Sequence, residues 1–275
     1  MIDRIRDWKK QIAQTVLPLL LIPAVIVLDA PQKIKDILVQ TNVDISELKW
    51  YVRVAIELGK WPLIIFALFF IYSAIRKANK ETVLKQNLPN VIVWHSMPGY
   101  WFCRYILNYR KVSLTRVPIP VQFKLAWAGW FSEYQIMEGV TEKEKGSDTV
   151  TVEKFQDDPI TSTINLVLAD TYPLNWREKL PAELLNLTTI VIERTGEKGV
   201  RYYSPDYISE ITKVVHDLPA NVIAINLFAT INAAHSYHIV NDVFKTGGRD
   251  TLKHLRVYQQ TSGIWVFEGK YKQIF

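Results

Sequence analysis

The sequence predicts an α/β domain of Rossmann-like type behind two N-terminal transmembrane helices. Three observations predict it. Two uncharged apolar runs, Ile12–Leu28 and Trp61–Ile75, lie near the start of the 275-residue chain. After Pro159, β-branched runs alternate with helix-spaced segments, as a sheet with crossover helices requires. One of those runs, "NVIAINLFA" (221–229), is almost continuously apolar, which marks a strand buried on both faces.

The first run, "IAQTVLPLLLIPAVIVL", just meets the about 17–25 apolar residues that a spanning helix needs. The second, "WPLIIFALFFIYSAI", meets it if the helix starts within the amphipathic stretch "ELKWYVRVAIELGK" upstream. Arg4, Arg6, Lys9 and Lys10 precede the first run, and Arg76, Lys77, Lys80 and Lys85 follow the second. The connecting loop 29–60 balances five basic against five acidic residues. The positive-inside rule therefore places both outer flanks in the cytoplasm. Trp8, Trp61 and Tyr72 fall near interface depth. A cleaved signal peptide ending near Ala30–Pro31, or a pair of buried core helices, are the alternatives. Gln14, Thr15 and Ser73 are the polar residues in the two runs, too few for a proton relay or transport site.

The expected division is a transmembrane region over 1–81 and an α/β domain over 82–275. Residues 1–81 hold 12 Lys/Arg against 8 Asp/Glu, leaving 21 against 19 for the rest of a chain of net charge +6. A domain of charge about +2 fits a small anionic ligand better than a long nucleic acid, which needs many phosphate contacts. The single cysteine, Cys103, excludes an internal disulfide and a CxxC pair.

Within the domain, "NVIVWH" (90–95) reads as a short strand and "GYWFCRYILNY" (99–109) as a helix. The prolines of "VPIPVQFKLAWAGWFSEYQIM" (117–137) suggest an edge strand or loop. "EKEKGSDT" (142–149) reads as a charged turn, and "VTVEKF" (150–155) as a strand. Then follow a strand over 163–169, a helix over 176–184, a strand over 188–194, a turn at 196–199 and a short strand over 200–203. Ser204 and Pro205 open a helix over 204–218, as N-cap and first helical residue. The strand over 221–229 leads through a glycine-free junction into a helix over 233–248, stopped by Gly247 and Gly248. Strands over 252–260 and 264–269 complete the sheet.

No Walker motif, no H-E-x-x-H and no G-x-S-x-G elbow occurs, and the sequence makes no case for an enzyme or a cofactor. His235 and His238 share a helix face but lack further ligands at metal spacing, so packing is preferred to a metal. The remaining candidates stand at the carboxyl ends of the strands, where open α/β sheets bind ligands: Asp170 and Tyr172, Arg194, Thr230 and Asn232, and Tyr258, with Ser236 in the helix that follows. Small residues let a ligand approach a helix N-terminus, whose free N–H groups attract phosphate, and tyrosines stack on bases.

The run of "TINLVLADTYPL", "TTIVIERTGEKGVRYYSPDYISEITKVVHDLP", "VIAINLFATINAAHSYHIVNDVF" and "HLRVYQQTSGIWVFEG" resembles the SAVED (CARF-like) domain, a sensor of cyclic oligonucleotides in bacterial antiphage (CBASS) systems. The resemblance spans about residues 160–270, and two transmembrane helices ahead of it look like the membrane-effector subclass. It implies an antiphage effector of the bacterial inner membrane, multi-pass, with its N terminus and sensor domain cytoplasmic. It implies a cyclic oligonucleotide bound by Asp170, Tyr172, Arg194, Thr230, Asn232, Ser236 and Tyr258. It further implies ligand-induced homo-oligomers that disrupt or permeabilise the lipid bilayer. The competing expectation is a membrane-anchored α/β scaffold that binds a protein partner without nucleotide.

Overall fold

The computed structural model describes residues 13–14, 16, 18, 30–41, 49–50, 60–85, 96–136, 141–142, 148–155, 161–172, 174–195, 202–246, 250–261 and 266–275. The chain divides into two compact units. One comprises Met1–Gln86 with Trp101–Arg110, the other Asn87–Tyr100 with Lys111–Phe275.

The first unit contains helix α1 (Ala30–Gln40), helix α2 (Lys60–Asn79) and the short strand β1 (Val83–Leu84). The run Ile12–Leu28 lies mostly outside the described residues, as does the amphipathic stretch before α2. Among the described residues, no helix is long and apolar enough to cross a membrane. The uncharged part of α2, Trp61 to Ile75, is shorter than the about 17 residues that a span needs at minimum. Yet Ile65, Phe66, Phe69 and Phe70 of α2 are each exposed by 61–66%. At the end of α2, Asn79 is fully buried and forms a reciprocal amide pair with Gln14, with both N···O distances 3.0 Å.

Helix α3 (Met97–Tyr105) starts in the second unit and ends in the first. The strand expected at 90–95 lies outside the described residues. In the second unit, the parallel strands β2 (Lys111–Ser113) and β3 (Glu133–Gln135) flank helix α4 (Ile119–Ala128). The prolines of this stretch thus start a helix instead of breaking one. Pro118 is the N-cap and Pro120 stands in the first turn, where a missing N–H costs nothing. Gly129 closes α4 at φ 62°, and its N–H donates to the Leu125 carbonyl.

Six strands form the main sheet: β5 (Thr149–Phe155), β6 (Thr163–Ala169), β7 (Thr189–Thr195), β9 (Ala224–Thr230), β10 (His254–Gln260) and β11 (Phe267–Gln273). Their order is β11-β10-β9-β6-β7-β5. The four inner strands run parallel, and both edge strands antiparallel. A two-stranded ribbon joins β4 (Thr141–Glu142) to β8 (Tyr202–Tyr203). Between β6 and β7 the expected single helix is one turn, α5 (Trp176–Lys179), followed by a 3-10 turn at Ala182–Leu184. Leu180 is extended at ψ 153° because Pro181 follows it.

Helix α6 (Pro205–His216) begins as expected, with the Ser204 hydroxyl accepting from the Tyr207 N–H. Helix α7 (Ala233–His238) continues as a π-helix over Ile239–Thr246, a feature no periodicity announces. The turn at 196–199 and the glycines at 247–248 lie outside the described residues.

Period-2 alternation splits the sheet's side chains between two cores. Ile164, Leu166, Leu168, Ile225, Leu227 and Leu255 pack with Phe123 of α4, Ile211 of α6 and Val243 of the π-helix. Val167, Val191, Phe228, Tyr258 and Phe267 pack on the opposite face with Leu180 and, partly buried, Leu184 and Trp176. Each fully buried aliphatic or aromatic side chain contributes about 1.5–3 kcal/mol.

Candidate functional site

The chain leaves β6 for β7 on one side and later enters β9 on the other. The carboxyl ends of β6 and β9 therefore flank a topological switch point, the position where open α/β sheets form a crevice. The register sets Ala169 beside Thr230. Just beyond, the Thr171 N–H donates to the Thr230 carbonyl at 2.9 Å, extending the ladder by one bond. The Thr230 hydroxyl donates to the Tyr172 carbonyl at 3.1 Å.

Asp170 follows β6, and its carboxylate lies at the centre of a buried polar network. Arg194, from the end of β7, donates its Nε to Asp170 Oδ1 at 2.5 Å, and the two side chains are 2% and 1% exposed. The Arg194 guanidinium carbon stands 3.8 Å from the centre of the Tyr202 ring. His235 Nδ1 is 2.8 Å from Asp170 Oδ2. Asn232 caps α7: its Oδ1 accepts from the His235 N–H at 2.9 Å. Its Nδ2 donates to the Tyr202 carbonyl at 2.8 Å and to Asp170 Oδ2 at 3.3 Å.

The histidine tautomer follows from the geometry. The backbone N–H of Ser204 can only donate, and it lies 2.9 Å from His235 Nε2. Nε2 is therefore an acceptor, and the proton sits on Nδ1, where it is donated to Asp170. This arrangement places Asp170, His235 and Ser204 in a row that superficially suggests a hydrolytic triad. It lacks the required chemistry, since a backbone amide occupies the nitrogen that would serve as base, and the Ser204 hydroxyl is spent on the α6 cap. His235 is fully buried. Below it, Tyr207 donates its hydroxyl to the Ile192 carbonyl at 3.2 Å. Burial first, and the Asp170 charge second, push the Tyr207 phenol well above its ordinary range.

The structure thus brings Asp170, Arg194, Thr230 and Asn232 together, with Tyr172 next to them and 51% exposed. Ser236 lies one turn into α7, fully buried, its hydroxyl without a hydrogen-bond partner among the described residues. Tyr258 is not part of this group. It packs in the smaller core, stacked on Phe228 at 4.5 Å, and burial raises its phenol pKa. Sequence reasoning missed His235 as a keystone and missed the rim pair Tyr203–His238. Those two rings lie 4.5 Å apart, and Asp242 holds His238 Nδ1 at 2.7 Å. The spacing of His238 and Asp242, one helical turn, was the available signal for the second contact. Among the described residues, no cluster of histidine, cysteine and carboxylate side chains could hold a metal.

No curated protein matches the chain. Among solved structures, the Acinetobacter baumannii Cap4 SAVED/CARF-domain containing receptor with the cyclic trinucleotide 3'3'3'-cAAA aligns at TM-score 0.40 and 11% identity, over 62% of this chain and 40% of that one. The same receptor with 2'3'3'-cAAA aligns at 0.38 and 11%, over 62% and 39%. The receptor alone aligns at 0.37 and 13%, over 62% and 37%. This chain therefore spans about two-fifths of that receptor's length, and likenesses at these scores carry no further argument. The decisive comparison is with a family model that runs from residue 2 to residue 274, nearly the whole chain: this protein belongs to the SUa-2TM family, the SMODS- and Ubiquitin system-associated 2TM effector domain.

Proposed function

We propose that this chain is an antiphage membrane effector of the bacterial inner membrane, gated by a cyclic oligonucleotide. Its two apolar segments span the bilayer as an antiparallel pair, with the N terminus and the α/β domain cytoplasmic. The observation that carries the membrane half is the Gln14–Asn79 amide pair. It sets the start of the first apolar run beside the end of the second, as a hairpin with both outer flanks on one side requires. A paired amide is also the polar contact that apolar helices use as glue. The family description, a 2TM effector domain, agrees with this arrangement.

The sensing half rests on the switch point and on the resemblance in sequence to SAVED. A ligand at this edge meets Tyr172 and the Tyr203–His238 pair, which offer ring faces for bases. Asp170, Arg194, Asn232 and Thr230 hold the strand ends in place beneath it. The domain senses without turnover, the ligand bridges neighbouring copies, and the assembled helices perturb the bilayer. Coupling requires the ligand to bind the assembled state more tightly than the monomer.

The test uses the full chain in lipid nanodiscs, screened by thermal shift against cyclic di-, tri- and tetranucleotides. A ligand at about 100 times its Kd stabilises the fold by about 2.7 kcal/mol. A shift with one cyclic species, reduced by Tyr203→Ala, supports the reading. Flat melting curves across the panel, with folded protein, favour the partner-binding scaffold.

A further inference from the structure

The exposed face of α3 carries aromatic rings where a helix facing water would carry polar groups. Trp101 and Tyr105, one turn apart, are 47% and 44% exposed, and their rings lie 5.5 Å apart. The opposite face is buried at Cys103 and, just beyond the helix, at Leu107 and Tyr109. Singly exposed aromatics are ordinary, but a pair in contact on one helix face, tilted at 42° to one another, marks a surface that is covered.

The hydrogen bonds of the first unit fix where this pair lies. Arg76, at the end of the apolar run of α2, donates Nη1 to the Tyr105 carbonyl at 2.6 Å and to the Ile106 carbonyl at 3.0 Å. The Asn108 side chain donates to the Arg76 carbonyl at 3.1 Å. Asn79 donates to the Leu107 carbonyl at 3.0 Å, while the Tyr109 hydroxyl donates to Gln14 Oε1 at 3.3 Å. Residues 105–108 are thus tied to the last turn of α2 by four bonds, and Tyr109 is tied to Gln14 by a fifth. Arg76 is the first charge after fifteen uncharged residues, so this turn is where the hydrocarbon ends under the membrane reading. Around it, segments 76–85 and 101–110 hold six basic residues against one acidic, Glu81.

We infer that Trp101 and Tyr105 form an interfacial anchor, seated among the headgroups of an anionic bilayer on the cytoplasmic side. Tryptophan and tyrosine favour this depth because one part of each ring is apolar and one part hydrogen-bonds. The excess of basic groups matches anionic headgroups. The anchor sets the first segment after the membrane hairpin at a defined depth. This inference rests on the proposal that α2 is membrane-inserted.

The experiment measures depth with bimane on a single cysteine in the full chain, in a C103S background and in phosphatidylglycerol/phosphatidylcholine vesicles. The labelled sites are Trp101→Cys, Tyr105→Cys and, as reference, Phe69→Cys. Nitroxide lipids labelled near the headgroup should quench bimane at 101 and 105 more than those labelled near the bilayer centre, and the reverse should hold at 69. Using two sites guards against loss of folding at one of them. If 101 and 105 are quenched by aqueous iodide and not by lipid, while 69 stays lipid-quenched, the anchor is refuted and the membrane reading stands. Shielding of 101 and 105 from both quenchers means a protein partner covers them, and also refutes the anchor. Absence of lipid quenching at all three sites overturns the membrane reading, and the anchor with it.

Discussion

Replacing Asp170 by Asn tests the buried network most sharply. The carboxylate accepts from Arg194 at 2.5 Å, from His235 at 2.8 Å and from Asn232 at 3.3 Å. An amide of the same size removes the charge and offers an N–H to at least one of these donors. The histidine cannot relieve the clash by changing tautomer, because Nε2 already accepts the Ser204 N–H. Arg194, with its side chain 2% exposed, keeps its cation and loses its counter-charge. Removing one partner of a buried pair costs about 3–5 kcal/mol. For a domain of this size each kcal/mol lowers Tm by about 2–4 °C, so D170N should melt roughly 6–20 °C lower. The assay is thermal unfolding of the full chain in detergent, followed by circular dichroism. A second variant, D170N with Arg194→Met, removes the buried cation as well and should recover part of the loss. A drop below about 1 kcal/mol for D170N, or strictly additive losses in the double variant, would refute the ion pair as a fixed element of the fold.

Four further outcomes follow from the same geometry. Ser236→Ala should leave stability unchanged or raise it, because an unpartnered buried hydroxyl costs about 1–3 kcal/mol; a clear drop in Tm would mean the hydroxyl has a partner. Asn79→Ala strands the Gln14 amide N–H and the Leu107 carbonyl and should lower stability by about 1–3 kcal/mol; no change in denaturant midpoint would remove the amide pair as a joint. Burial pushes the Cys103 thiol up from 9.0 to about 11, so maleimide should label it far more slowly in native than in urea-unfolded protein near pH 8. The folded thiol keeps its proton in the window between those two values while the unfolded one loses it, so stability falls as pH rises there, and Cys103→Ser should flatten that fall in a pH series of melting curves.

The sheet was largely legible in the sequence because its signals are local. β6 coincides with the expected 163–169, and the Ser204–Pro205 start of α6 needs only a cap hydroxyl and a pre-set φ. The helix at 119–128 was misread because Pro118 and Pro120 both break and begin helices, and only the following turn decides which. The π-helix at 239–246 carries the same apolar spacing as an α-helix, and its buried residues pack in one core with α4 and α6, so no local pattern set it apart. The site was half legible. Strand-end position picked out Asp170, Arg194, Thr230 and Asn232, but the contacts of Asp170 with Arg194 and Asn232 join residues 24 and 62 apart, beyond any local pattern. Tyr258 ends a strand as well, yet the pleat turns it into the core with Phe228.

The most direct measurement of the central claim is dye release from anionic vesicles holding the full chain, with and without each cyclic oligonucleotide. The account predicts tight vesicles until one cyclic species is added, then release that is lost with Tyr203→Ala. Release at the same rate without ligand would contradict the account, as would binding of a cyclic oligonucleotide that leaves the vesicles intact.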